Sequence, residues 1–119
     1  MQRAKIVKEE TKENGKLFLA LHVETGNANL LLLSEGEDRL GTLAVALPQA
    51  RRMLGSPLSS ILLGDRNTLI ARLLAEQLAK RTKRIALVSV FAKTLTEKEA
   101  GSVFLKLFKK TLEKGSRGE

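Results

Sequence analysis

The chain has 119 residues, 43% of them hydrophobic and 29% charged, which are the values of a globular domain and not of a disordered segment. It contains no cysteine, which excludes a disulfide framework and a thiolate metal site, and its longest apolar runs, such as Leu30 to Leu33, are far too short to span a bilayer. Lys and Arg number 21 against 13 Asp and Glu, a net charge of +8 that suits nucleic acid or an acidic protein surface equally well.

In chain order, Ile6 to Thr11 reads as a first strand, and Asn14-Gly15 supplies the positive φ that a tight hairpin turn needs. Lys16 to Val23 then alternates, with Leu17, Leu19, Leu21 and Val23 on one side and Phe18, Ala20 and His22 on the other. Thr25-Gly26-Asn27 turns the chain into a third strand, Asn29 to Ser34. A polar turn containing Gly36 leads to a fourth, Leu40 to Leu47, which Pro48 ends because it has no ladder donor. Gln49 to Pro57 reads as a loop displaying Arg51 and Arg52, and Ser59 to Leu63 as a fifth strand. Asp65 or Asn67 caps a helix that runs to about Thr82, with Leu69, Ile70, Leu73, Leu74 and Leu78 as its apolar residues. Arg84 to Phe91 is a sixth strand. Thr96 and Glu99 have capping-box spacing and open a last helix, whose stripe is Val103, Phe104, Leu107, Phe108 and Leu112 and which Gly115 ends.

The expected fold is therefore a single α+β domain over residues 1–114: a mostly antiparallel six-stranded sheet with two helices packed on one face, in the order β-β-β-β-β-α-β-α. Residues 115–119 are expected to form a disordered tail. Arg3, Lys5, Lys8 and Glu9 interrupt any hydrophobic signal region, so a reducing, cytoplasmic setting is expected. The scarcity of thermolabile residues points to a thermophile.

Two helices cover one face of such a sheet. Yet Leu30-Leu31-Leu32-Leu33, Leu43-Ala44-Val45-Ala46-Leu47 and Ile85-Ala86-Leu87-Val88 are apolar on both faces, where one-sided strands would alternate with polar residues. Two arrangements fit: a dimer whose sheets pack face to face with the helices outside, or a monomer whose loop Gln49 to Pro57 folds over the second face.

Catalytic readings have little to stand on. His22 is the sole histidine and sits in a strand with no aspartate near it in sequence; Asp38 and Asp65 fit a turn and a cap. No catalytic residue, cofactor site or metal site is assigned, and the chain is expected not to be an enzyme. Gly64-Asp65-Arg66-Asn67-Thr68 lacks the glycine spacing of a dinucleotide or P-loop motif. Nucleic-acid binding is the alternative function, on the strength of Lys80, Arg81, Lys83 and Arg84 and of Lys106, Lys109, Lys110, Lys114 and Arg117. Four Phe without Tyr or Trp make a poor base-stacking platform.

The stretch from Leu40 to Phe91 resembles the small proteasome-assembly chaperones, chaperones three and four. The resemblance is carried by Leu40-Gly41-Thr42-Leu43-Ala44-Val45-Ala46, by Ser59-Ser60-Ile61-Leu62-Leu63-Gly64-Asp65, and by Leu78 to Arg84 running into Ala86-Leu87-Val88-Ser89. It implies a homodimer or a heterodimer with a homologous sister chain, a proteasome α-type subunit as client during α-ring assembly, and no cofactor. The C-terminal tyrosine motif by which larger assembly chaperones dock is not expected here, since the chain has no tyrosine. On this reading one sheet face holds the dimer, through Leu31, Leu33, Leu43, Val45, Leu47, Ile85 and Leu87. Client contact falls to Arg51, Arg52 and Arg66, because a guanidinium pairs bidentately with carboxylates.

Overall fold

Asn14 and Gly15 both take positive φ, 53° and 79°, so the chain reverses within two residues. Strand β1 (Lys5–Glu13) thus lies antiparallel to β2 (Lys16–Glu24), with Glu13 opposite Lys16. A second reversal follows at Thr25, whose amide donates to the Ala28 carbonyl over 2.9 Å while its hydroxyl accepts from the Ala28 amide at 3.1 Å. It delivers β3 (Ala28–Glu35), antiparallel to β2. The computed structural model describes residues 3–48 and 58–117, and its remaining elements are β4 (Thr42–Ala46), β5 (Ser59–Leu63), α1 (Thr68–Thr82), β6 (Ile85–Phe91) and α2 (Glu97–Arg117).

The six strands form one sheet in the order β1-β2-β3-β6-β4-β5. Among the described strands only β3 and β6 pair in parallel. Strand β4 is antiparallel to both β5 and β6, so those two run the same way, and their connection crosses β4. That crossover is α1, which packs on β4 and β6, while α2 returns over β1 and β2. Both helices cover one face of the sheet, as the α+β expectation requires.

The covered face is built from alternate residues: Phe18 and Ala20, Leu31 and Leu33, Ala44 and Ala46, then Ala86, Val88 and Val90, all buried. Helix α1 meets it with Ala71, Ala75 and Ala79 at four-residue spacing, beside Ile70, Leu74 and Leu78. Alanines on both sides let the helix backbone sit close to β4 and β6. Helix α2 is anchored differently. Phe104 meets Phe18 of β2 edge to face, ring centroids 5.8 Å apart at 86°, a pairing that adds about 1 kcal/mol to the burial of two large rings.

The one histidine is part of this frame. Asn29 Nδ2 donates to the Thr82 hydroxyl over 2.8 Å, which leaves Asn29 Oδ1 facing His22 Nε2 at 3.0 Å. Thr82 in turn donates to the Leu78 carbonyl at 2.8 Å. The chain joins β2, β3 and the end of α1, and His22 and Asn29 are both buried within it.

Three local expectations change. Asn67 stands at the start of α1 in a left-handed conformation, φ 59°, and its side chain makes no capping bond. Its backbone N–H donates instead to the Glu97 carboxylate of α2, at 3.3 Å. Leu69 and Leu73, counted from sequence among the apolar residues of this helix, are 73% and 44% exposed because the alanines occupy the inward positions. Finally, α2 continues past Gly115 to Arg117. Its start matches the capping-box reading: the Thr96 amide donates to Glu99 Oε1 at 2.9 Å and the Glu99 amide to Thr96 Oγ1 at 3.2 Å.

Candidate interaction surface

The other face of the sheet is assembled by strand register. Ile6 lies opposite Val23, Val23 opposite Leu30, Leu30 opposite Leu87, and Leu87 opposite Val45. These five apolar side chains form a row across five strands. A second row runs from Leu21 to Leu32, passes Ser89, and continues through Leu43 to Leu63. Directly opposed pairs such as these shield one another, so the central members are partly buried while Leu63, at the β5 edge, is 50% exposed. Towards β1 the face turns charged, with Lys8, Glu10 and Lys12 exposed. Among the described residues no helix lies on it. A contiguous apolar centre with a charged margin is the composition of a protein–protein contact.

The expected interface residues divide between the two faces. Leu43, Val45, Ile85 and Leu87 lie on the helix-free side, partly exposed, and Leu47 lies just past β4 at 57% exposure. Leu31 and Leu33 do not join them. Both are fully buried beneath the helices, and Leu30 and Leu32 occupy the helix-free positions in β3 instead. Four consecutive leucines carry no alternation, so nothing within β3 says which pair faces which way. The usable signal lay in the turn at Thr25 to Asn27, which sets Glu24 opposite Asn29 and thereby Leu21 opposite Leu32. Of the expected client contacts, Arg66 is exposed in the turn before α1. Arg51, Arg52 and the loop Gln49 to Pro57, which in the alternative monomer arrangement covers the second face, lie outside the described residues.

The segments that carry the resemblance meet in space. Gly41 lies so close to β6 that a methyl group there would stand 2.2 Å from the Val90 carbonyl oxygen, and its amide donates to the Ser89 hydroxyl at 2.8 Å. Gly64, with φ 89°, is pressed against Thr42. Gly41 thus lets the start of β4 close on β6, and Gly64 lets the end of β5 close on β4.

The remaining polar features have structural work. The Glu35 carboxylate accepts the backbone amides of Lys93 (2.8 Å) and Thr94 (3.1 Å) and the Thr94 hydroxyl (2.6 Å). Burial alone would raise its pKa. The Thr94 and Lys93 hydrogen bonds, with the Lys16 ammonium nearby, outweigh that and hold it below the ordinary glutamate value. Arg84 binds the Glu24 carboxylate at 2.5 Å, tying β6 to β2. Phe18 and Phe104 are in the core, and the Phe91 ring is covered by the Arg39 guanidinium, 5.5 Å from its centroid. Among the described residues, no three His, Asp or Glu side chains gather as metal ligands would, and no helix is long and apolar enough to cross a membrane.

The architecture is thus an α+β domain with both helices on one side of a six-stranded mixed sheet and an apolar face on the other. It is similar to a chain in the crystal structure of a novel chaperone complex for yeast 20S proteasome assembly, with a TM-score of 0.68 over 92% of this chain and 93% of that one. The two sequences are 15% identical, so the likeness is one of fold. No protein-family profile and no curated protein matches the chain.

Proposed function

We propose that this protein is a non-catalytic assembly chaperone that pairs through its helix-free sheet face, with a second copy of itself or a homologous sister chain, and holds a proteasome α-type subunit during α-ring assembly. The observation that carries the proposal is the row Ile6, Val23, Leu30, Leu87 and Val45, an apolar band across five strands that no helix of the chain covers among the described residues. Face-to-face packing of two such sheets removes that surface from water at roughly 25 cal/mol per Å². The proteasome enters through the fold likeness to a proteasome-assembly chaperone and through the sequence elements around Gly41 and Gly64. Arg51, Arg52 and Arg66 are the proposed client contacts.

A pull-down from native lysate tests the function. Retention of proteasome α-type subunits that survives nuclease treatment is the expected result. Nuclease-sensitive retention that falls steeply with salt would replace the proposal with nucleic-acid binding. That alternative is weakened by the aromatic side chains: three of the four Phe, Phe18, Phe104 and Phe108, are in the core and the fourth, Phe91, lies beneath Arg39.

A further inference from the structure

On the opposite side of the molecule, α1 and α2 leave a groove of about 390 Å³ between them. Leu69 and Leu73 line it from α1, and Gly101 and Leu105 from α2, with Lys98 at its margin. The leucines of α1 are the two that the sheet does not use. They stand four residues apart on the outer side of the helix, as do Gly101 and Leu105 on α2. The space beside Gly101 is open, and a methyl group there would meet nothing within 4 Å.

The charges around this groove are unequal in their availability. Its acidic neighbours are engaged within the fold: Glu97 accepts the Asn67 amide, Glu99 closes the capping box, and Glu76 accepts the Ser59 hydroxyl. The cations are not. Lys98 has no hydrogen bond or ion pair among the described residues, and neither do Lys80, Arg81 or Lys109. Lys80 lies seven residues beyond Leu73, and Lys109 four beyond Leu105, so helical periodicity puts each on the same stripe as the groove leucine before it. Lys106, Lys110 and Lys114, by contrast, are turned to Glu13 and Glu9 of β1.

We propose that the α1–α2 groove is a docking site for an acidic amphipathic segment of a partner protein, whose apolar anchors enter between Leu69, Leu73 and Leu105 while its carboxylates face Lys98, Lys80 and Lys109. Apolar anchoring gives the affinity and the unpaired cations select acidic partners. A nucleic acid finds no aromatic lining on which to stack a base here. The site is on the layer opposite the helix-free face, so it is free in the monomer and in a sheet-to-sheet pair alike, and it stands apart from that pairing.

The test is selection of binders from a random displayed-peptide library against the full chain, followed by anisotropy titration of the selected peptides as synthetic labelled probes. Selected peptides should combine two large apolar residues at helical spacing with several carboxylates. Leu73→Glu should weaken their binding by on the order of tenfold or more, as loss of a central anchor does, and Lys98→Glu should weaken it and flatten its salt dependence. Both residues are exposed, so circular dichroism should show each variant folded. Val45→Glu on the other face should leave binding unchanged even where it alters oligomeric state, which separates failure of this site from failure of the proposed pairing. The proposal is overturned if no acidic peptide is selected or if selected peptides bind Leu73→Glu as well as the parent. It is equally overturned if Leu73-dependent binding is found to polyuridylate RNA or anionic vesicles in their place.

Discussion

Val45 of β4 lies directly opposite Leu87 of β6, and both side chains stand on the face of the sheet that neither helix covers. Each therefore contributes little to the protomer's own core. Val45→Glu should leave the circular-dichroism spectrum and the monomer fold intact while lowering the solution mass of the paired species, measured by light scattering at micromolar concentration. Leu31→Glu is the control. It places a charge in the helix-covered core and should unfold the chain. An unchanged mass for Val45→Glu, or a parent protein that is already monomeric, would remove the sheet-pairing proposal.

The contact between Gly64 and Thr42 gives a second expectation. Gly64→Ala puts a side chain at φ 89° and within 2.5 Å of the Thr42 hydroxyl oxygen, so strain and collision add. A loss of roughly 2–4 kcal/mol in urea unfolding is expected, the strain alone contributing about 1–3 kcal/mol. Gly15→Ala has a similar φ, 79°, but open space around it, and should cost only about 1–2 kcal/mol. Equal effects at the two positions would contradict the close approach of β5 to β4.

Phe104 is fully buried against Phe18 and carries α2 onto the sheet. Phe104→Ala should cost about 3–5 kcal/mol of unfolding free energy, a large part of the roughly 5–15 kcal/mol a domain possesses. Hydrogen exchange should then rise first in α2 and in β1 and β2 beneath it, before α1.

Acid should reach the Glu35 cluster. Its pKa in the folded protein is depressed, chiefly by the bonds from Thr94 and Lys93, against the opposing effect of burial. A depressed carboxylate stabilises the fold above its unfolded pKa, about 4.3 for glutamate, and that contribution is lost as pH falls through the lower folded value. Melting temperature should therefore decline as pH falls below the unfolded value and through the folded one. Glu35→Gln should lower stability at neutral pH and shrink the acid-side decline. An unchanged decline would assign the acid sensitivity to other carboxylates.

Much of this architecture was legible along the chain. The Asn14-Gly15 reversal, the period-two pattern of β2 and the capping box at Thr96 and Glu99 are local devices, each complete within a few residues, and all three stand where the residues placed them. The surplus of apolar residues on the central strands was legible for the same reason, since it is a matter of composition. What the four leucines of β3 could not express among themselves was which side each would face. That was decided by pairing with β2 on one edge, in the register the turn at Thr25 to Asn27 sets, and with β6 on the other, where Leu33 lies opposite Val90 from a distant part of the chain. The fate of Leu69 and Leu73 was likewise settled only when Ala71, Ala75 and Ala79 took the inward positions against β4 and β6. A helix carries apolar residues on whatever stripe its sequence provides. Which stripe is buried depends on the surface it meets, and that surface exists only once the strands have assembled.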